Sequence, residues 1–231
     1  LAAREGRKEI AQFDLIRSIE KVMLGPERKS HLMNKKEKRL TAFHEAGHAL
    51  VSSVLEYADP VHKISIISRG RAGGYTLKLP FEDRKMQSRK EFLDDIATTM
   101  GGYVAEEMIF GDVTTGPSND LAVITALARD MVSRWGMSDA VGPVAFTADR
   151  GGYGSEAFSQ DVSAKIDAEV KRIIEEQKKR AEEVITEHRG ALDAIAERLV
   201  EVETLEREEF EKLLIANGIT PKAKEEEEKA A

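Results

Sequence analysis

Cysteine is absent from the 231 residues. That excludes a disulfide framework and any thiolate metal site, so a metal bound here would have to be held by histidine and carboxylate. The absence also fits a reducing compartment. No apolar run approaches the ~20 residues that span a bilayer and no stretch reads as a secretory signal, so the chain is expected to be soluble. Basic residues are outnumbered, 35 Lys and Arg against 42 Asp and Glu. The resulting net charge of −7, which comes largely from solvated helices and an acidic tail, argues against nucleic acid as the main partner. No G-x-x-x-x-G-K-[ST] phosphate loop occurs, and no internal repeat is visible.

What is present begins with 41% hydrophobic residues, enough for a real core in one or two domains. The most informative stretch is His44-Glu45-Ala46-Gly47-His48, which matches the HExxH pattern of zinc peptidases. Spacing i, i+4 on a helix sets both imidazoles on one face, where they can share one metal, and Glu45 can then reach a water on that metal without ligating it. The surrounding segment reads as a helix of roughly Lys35 to Tyr57. Asn34 is its N-cap with Glu37 three residues on, Leu40, Phe43, Leu50, Val51, Val54 and Leu55 recur at helical spacing, and Asp59-Pro60 stops it. His44, His48, Val51 and Leu55 share a face, and Gly47 leaves room for a close approach. The competing reading is a pair of satisfied core histidines.

The rest of the chain is mostly helical in pattern. Residues 1–24 carry helical periodicity through Ile10, Phe13 or Leu15, Ile16, Ile19 and Met23, with Asp14 a helix start and Gly25-Pro26 a break. Ile64 and Ile66, then Tyr75, Leu77 and Leu79, alternate as two strands of a hairpin turned around residues 69–74. A helix is expected from Arg89 to Phe110, with Gly101-Gly102 permitting a tight crossing. A third opens after the loop 111–117, with Ser118 as cap, a stripe of Leu121, Ile124, Leu127, Met131, Val132 and Trp135, and Gly136 at its end. Residues 148–155 read as a glycine-rich surface loop. Beyond Asp161 the chain is nearly all helix until Asn217-Gly218, and residues 222–231 read as a charged, disordered tail. The fold expected is mainly α, with the HExxH helix, a small β-hairpin or sheet, and a helical C-terminal region. The strand Tyr75 to Leu79 has two readings of equal standing: an edge that pairs with an extended substrate, or a sheet strand that packs on the metal helix.

A catalytic zinc takes three protein ligands and one open position. Val51 and Val54 stand where the HExxHxxGxxH class needs glycine and histidine, which excludes that class. His31, His62 and His188 lie in settings typical of surface histidines. Carboxylates remain: Glu106 and Glu107 on the second helix, or Asp120 in the first turn of the third, where the helix dipole favours the ionised form that ligation needs. On physical grounds Asp120 and Glu107 stand close to even.

His44 to Leu50, read with Gly101 to Gly111, Thr114 to Leu121 and Gly25-Pro26-Glu27-Arg28-Lys29-Ser30, resembles the peptidase domain of the FtsH family, the membrane-bound AAA+ zinc proteases of bacteria, mitochondria and chloroplasts. The resemblance runs from about Leu1 to Gly218. One departure is Pro117, where the family more often has alanine. The resemblance implies that His44, His48 and Asp120 hold Zn2+, that Glu45 is the general base, and that Glu106 and Glu107 are candidates for orienting a histidine. It implies the end of an AAA+ lid and a linker in residues 1–30, the zinc peptidase domain in 31–218, and a tail in 219–231. ATP and Mg2+ would belong only to an ATPase module outside these residues, and membrane contact only to an N-terminal anchor. Further implications are a homo-hexamer, unfolded or membrane-extracted polypeptides as substrates, and the cytoplasmic face of the bacterial inner membrane as location. A second function class is a ring-forming, chaperone-like module with a decayed peptidase site; intact His44, Glu45, His48 and Asp120 argue against it.

Overall fold

The structure is a computed structural model that describes residues 2–25, 33–68, 73–82, 84–146 and 159–223. A 3-10 turn, Ala2–Glu5, precedes α1 (Gln12–Leu24); α2 (Lys35–Val54), β1 (Val61–Ser65), β2 (Tyr75–Lys78), α3 (Arg89–Phe110), α4 (Ser118–Ser133), α5 (Gln160–Glu187), α6 (Arg189–Val202), β3 (Thr204–Glu206) and α7 (Arg207–Ala216) follow. The expected turn at 69–72, the break at Pro26, His31, the loop 148–155 and most of the tail lie outside the described residues.

The central helix α2 begins as its sequence requires. The Asn34 side chain accepts from the Glu37 backbone N–H at 2.9 Å and Glu37 reaches back to the Asn34 N–H at 3.3 Å, closing a capping box. The helix ends at Val54 rather than near Tyr57. Leu55 turns into extended backbone, and the Tyr57 N–H donates to the Asp94 carboxylate at 2.9 Å, so a tertiary contact takes the donor that another helical turn would use. α1 starts at Gln12, two residues before Asp14, which instead accepts the Ala11 N–H from inside the first turn. Its apolar stripe does not find a core: Phe13, Leu15 and Ile19 are exposed, as is Ile10 before it.

α3 spans Arg89–Phe110 as its pattern predicts, capped by Ser88 and closed by Gly111 in the left-handed region at φ +66°. It crosses α2, and α5 and α6 pack around the pair. The core between them holds Phe43, Leu50, Ile96, Ile185, Leu192, Ile195 and Leu199, all essentially without exposure. Phe43 meets Phe110 edge to face at 5.7 Å. In α4, Ile124, Ala128, Met131 and Val132 are buried, but Leu121 is not, and Trp135 lies beyond the helix end, stacked on Phe92 at 4.7 Å. Ser118 is the first residue of α4 rather than its cap; Pro117 holds the cap position.

The sheet has three strands in the order β2-β1-β3, both pairings antiparallel. The hairpin of β1 and β2 was expected. β3 was not: three residues between α6 and α7 pair with Lys63, Ile64 and Ser65, joined by a hydroxyl bond between Ser65 and Thr204 at 2.8 Å. β1 is thereby enclosed on both sides, and β2 is an edge strand beside α2.

Candidate metal centre

Two glycines set the geometry before any ligand is considered. A Cβ on Gly47 would strike the Gly101 carbonyl oxygen and lie 2.8 Å from Ala105 Cβ, so α2 and α3 touch backbone to backbone. His44, three residues before that contact, and His48, the residue after it, are thereby brought against α3. A Cβ on Gly102 would lie 2.6 Å from both His44 Cε1 and His48 Nε2, so glycine is required where the rings sit.

Each ring is then held by its far nitrogen. His44 Nδ1–H donates to Glu106 Oε1 at 2.8 Å, and His48 Nδ1–H donates to the Thr98 carbonyl at 2.9 Å. The Gly102 N–H lies 3.3 Å from the same Nδ1, yet a carbonyl only accepts, so the proton belongs on His48 Nδ1. Both Nε2 atoms, 3.0 Å apart, therefore face each other with lone pairs free for a metal. Asp120 Oδ2, from the first turn of α4, completes the trio at 3.2 Å from His44 Nε2 and 3.4 Å from His48 Nε2. Ligand atoms set tetrahedrally around zinc at about 2.0–2.2 Å lie roughly 3.3–3.6 Å from one another; at 3.0, 3.2 and 3.4 Å the three atoms sit at or just inside that spacing, so a small outward shift seats such an ion with one position left open. Among the described residues, His44, His48 and Asp120 are the group able to hold a metal ion.

Electrostatics tell the same story. Burial alone would discharge His44, but Asp120 and Glu106 outweigh it and push the imidazolium up to about 10, so without a metal the cluster holds a proton in its place. Burial disfavours the charge on Asp120 too, and the two histidines overcome it, holding its carboxyl far below the usual range. Glu106 is also held low: burial opposes its charge, while His44 and the Thr114 N–H and hydroxyl, at 3.1 and 2.9 Å, win.

Glu45 sits beside the trio without joining it. It is 5% exposed, and Thr76 of β2 donates its hydroxyl to Glu45 Oε2 at 2.8 Å. Burial raises its pKa, against the pull of His44 and His48. Gly74, just before β2, lies so close that a Cβ would meet Glu45 Oε1 at 2.8 Å. All these groups open on a groove of about 930 Å³, walled by Gly73–Thr76 and Lys78 on one side and by Thr115, Gly116 and Ser118–Asp120 on the other.

His44, His48, Glu45 and Asp120 thus come together. Glu106 and Glu107, treated alike from sequence, part company: Glu106 is fully buried against His44, while Glu107 faces Lys178 of α5 at 2.7 Å. The signal that separates them is helical phase, since Glu106 is i+4 from Gly102 on the face that crosses α2, and Glu107 is i+4 from Tyr103 on the next face. His62 and His188 lie away from the trio, and the Thr76 and Thr98 contacts were not visible in the sequence.

The chain matches the profile described as Peptidase family M41 over residues 31–213. It is 46% identical over 221 residues to the ATP-dependent zinc metalloprotease FtsH 1 of Conexibacter woesei, a match covering 93% of this chain and 34% of that protein. Identity to the ATP-dependent zinc metalloprotease FtsH of Thermotoga maritima is 47%, covering 93% of this chain and 36% of the relative. For the FtsH of Bacillus subtilis the figures are 42%, 96% and 36%. The chain spans about a third of the length of these curated relatives. The matched region takes in the whole metal helix, both walls of the groove and the packing helices through most of α7, and on that extent the chain belongs to peptidase family M41.

Proposed function

We propose that this chain is a zinc-dependent endopeptidase, with His44, His48 and Asp120 holding the metal and Glu45 as general base. The observation that carries the reading is the convergence of two Nε2 atoms and Asp120 Oδ2 beside a buried carboxylate that is not one of them. A zinc ion held by His44, His48 and Asp120 would supply Lewis acidity, which would polarise the scissile carbonyl and acidify the attacking water. Glu45 takes that water's proton and passes it to the departing amine, a transfer for which a carboxyl raised by burial is suited. Thr76 fixes the carboxylate, and Glu106 and the Thr98 carbonyl fix the ligand rings through their Nδ1–H groups. The substrate adds to the edge of β2 as an extended strand, read through its backbone with little demand on sequence.

In this reading residues 31–218 are the peptidase domain, 1–30 the end of an ATPase lid and its linker, and 219–231 a charged tail. The longer relatives are named ATP-dependent, and we assign that dependence, with its Mg2+, to the part of them this chain does not match. The same part would anchor a homo-hexamer at the cytoplasmic face of a bacterial inner membrane and deliver unfolded or membrane-extracted polypeptides. Among the described residues no helix is long and apolar enough to cross a membrane. A ring-forming module with a decayed site is not favoured, because its decay would show first in the four residues that converge here.

The test is metal content beside proteolysis of casein. One zinc per chain is expected, with cleavage lost on chelation and restored by added zinc. A zinc-loaded chain that leaves casein intact would overturn the reading.

A further inference from the structure

We propose that Lys78 and Thr98 form a side-chain subsite that selects an acidic residue, aspartate or glutamate, in the polypeptide being cut; the inference rests on the peptidase reading above. Among the described residues, and apart from the two histidines, the titratable groups lining the groove are Glu45, Glu106, Asp120, Tyr75 and Lys78, so Lys78 brings an ammonium to a mostly acidic lining. Lys78 follows Thr76 by two positions on β2, and side chains of that spacing share a face of a strand. Thr76 touches Glu45, so Lys78 is displaced along the edge strand from the general base by about 6–7 Å, the rise of two residues.

Across from Lys78, α3 presents Asp95, Thr98 and Thr99 at i, i+3 and i+4, one face of the helix. The Thr98 carbonyl is the acceptor for His48 Nδ1, so this face runs directly into the metal ligands. Two hydrogen-bond donors at this crossing of β2 and α3 are poorly used. Lys78 Nζ reaches Asp95 Oδ1 only at 3.5 Å, long for a charge-assisted bond, and both side chains keep about a quarter of their exposure. Thr98 Oγ1 is buried with no hydrogen-bond partner among the described residues, a state that native interiors rarely leave. The Thr99 hydroxyl, by contrast, is spent on the Asp95 carbonyl at 2.8 Å.

A carboxylate entering between β2 and α3 accepts from the ammonium directly, and from the Thr98 hydroxyl once a change of its χ1 rotamer turns the buried oxygen toward the groove. A substrate cation would meet Lys78, and an apolar side chain would leave the Thr98 hydroxyl unpaired. Asp95 holds the Lys78 side chain across the groove while leaving two of its N–H donors available. Backbone pairing along β2 would then supply general affinity, and this subsite a preference at one position.

The experiment maps cleavage sites by mass spectrometry in unfolded casein, using the zinc-loaded 231-residue chain and its Lys78→Gln, Lys78→Glu and Thr98→Val variants. For the unsubstituted chain, Asp and Glu should exceed Lys and Arg about tenfold at one fixed position near the scissile bond, the equivalent of one hydrogen bond to a charged group. Lys78→Gln should bring the ratio near one, Lys78→Glu should invert it, and Thr98→Val should lower it without inversion. Cleavage with no acidic preference, or with the same preference in Lys78→Glu, overturns the subsite and leaves the peptidase reading standing. No cleavage at all overturns both.

Discussion

Gly47 of α2 and Gly101 of α3 lie against each other with no side chain between them: a Cβ added to Gly101 would stand 2.6 Å from the Gly47 carbonyl oxygen. The atoms in the way are backbone, which cannot swing aside as a side chain can, so any addition must push the helices apart. Those two helices carry both histidines, the Glu106 carboxylate and the Thr98 carbonyl. Gly47→Ala should therefore cost about 1–3 kcal/mol or more, as overpacking does. That corresponds to a fall of roughly 3–10 °C in the melting temperature of the metal-free chain. It should also weaken zinc retention, because the ring positions depend on the crossing. A melting temperature within a degree of the unsubstituted chain would show that the contact is slack.

The ligand assignment is open to a three-variant comparison. Asp120→Asn removes the anionic donor at 3.2 and 3.4 Å from the two Nε2 atoms and should lose both zinc and activity. Glu106→Gln keeps the trio but weakens the acceptor on His44 Nδ1, so zinc should stay while affinity or activity falls by roughly 10- to 100-fold. Glu107→Gln breaks only a half-exposed pair with Lys178 and should change little. Metal content after dialysis against a weak chelator checks all three. Zinc kept by Asp120→Asn and lost by Glu107→Gln would transfer the ligand role to Glu107.

Much of this centre was legible because its signals are local. The i, i+4 histidines, the Asn34 and Glu37 capping box and the Arg89–Phe110 helix each depend on residues a turn or two apart, and the structure keeps all of them. What the sequence concealed depends on partners far along the chain. β3 is three residues long and exists by pairing with β1, some 140 positions away. The early end of α2 depends on Asp94, and the roles of Glu106 and Glu107 on which face α2 and α5 each take. Leu121 falls on the apolar stripe of α4 by spacing yet stays exposed at 37%, because spacing fixes which side of a helix a residue takes and not what covers it. Choosing Asp120 over Glu107 required the family resemblance; the convergence of its carboxylate with both rings supports the same choice.

Zinc binding should strengthen as pH rises from 7 to 9. The folded, metal-free centre raises His44 to about 10 from an ordinary value near 6.5, so this proton stabilises the metal-free fold fully below about 6.5, and that stabilisation is lost as pH climbs through 10. Coordination needs the neutral ring, so over this range zinc must expel one proton. Apparent affinity should rise about tenfold per pH unit, and the gain in melting temperature on adding zinc should widen from pH 7 to 9. Competition with a chelator of known protonation, run at pH 7, 8 and 9, reads the slope. A flat profile would mean that His44 carries no proton to displace.

The proposed role of Glu45 as general base can be separated from the fold by a single atom. Glu45→Gln keeps the size of the side chain and an oxygen able to accept from Thr76, but an amide cannot take a proton from water. Turnover of casein should fall by at least 100-fold, with zinc still near one per chain, since Glu45 is not among the converging donors. Stability should move the other way. Burial raises the Glu45 pKa, which means the ionised carboxylate is a destabilising presence at neutral pH in the metal-free fold, and a neutral amide relieves that cost. The metal-free variant should therefore melt at or above the temperature of the unsubstituted chain at pH 7, with the difference vanishing as acid protonates the carboxylate. An inactive variant that also melts lower and loses zinc would place Glu45 in the architecture of the centre rather than in its chemistry.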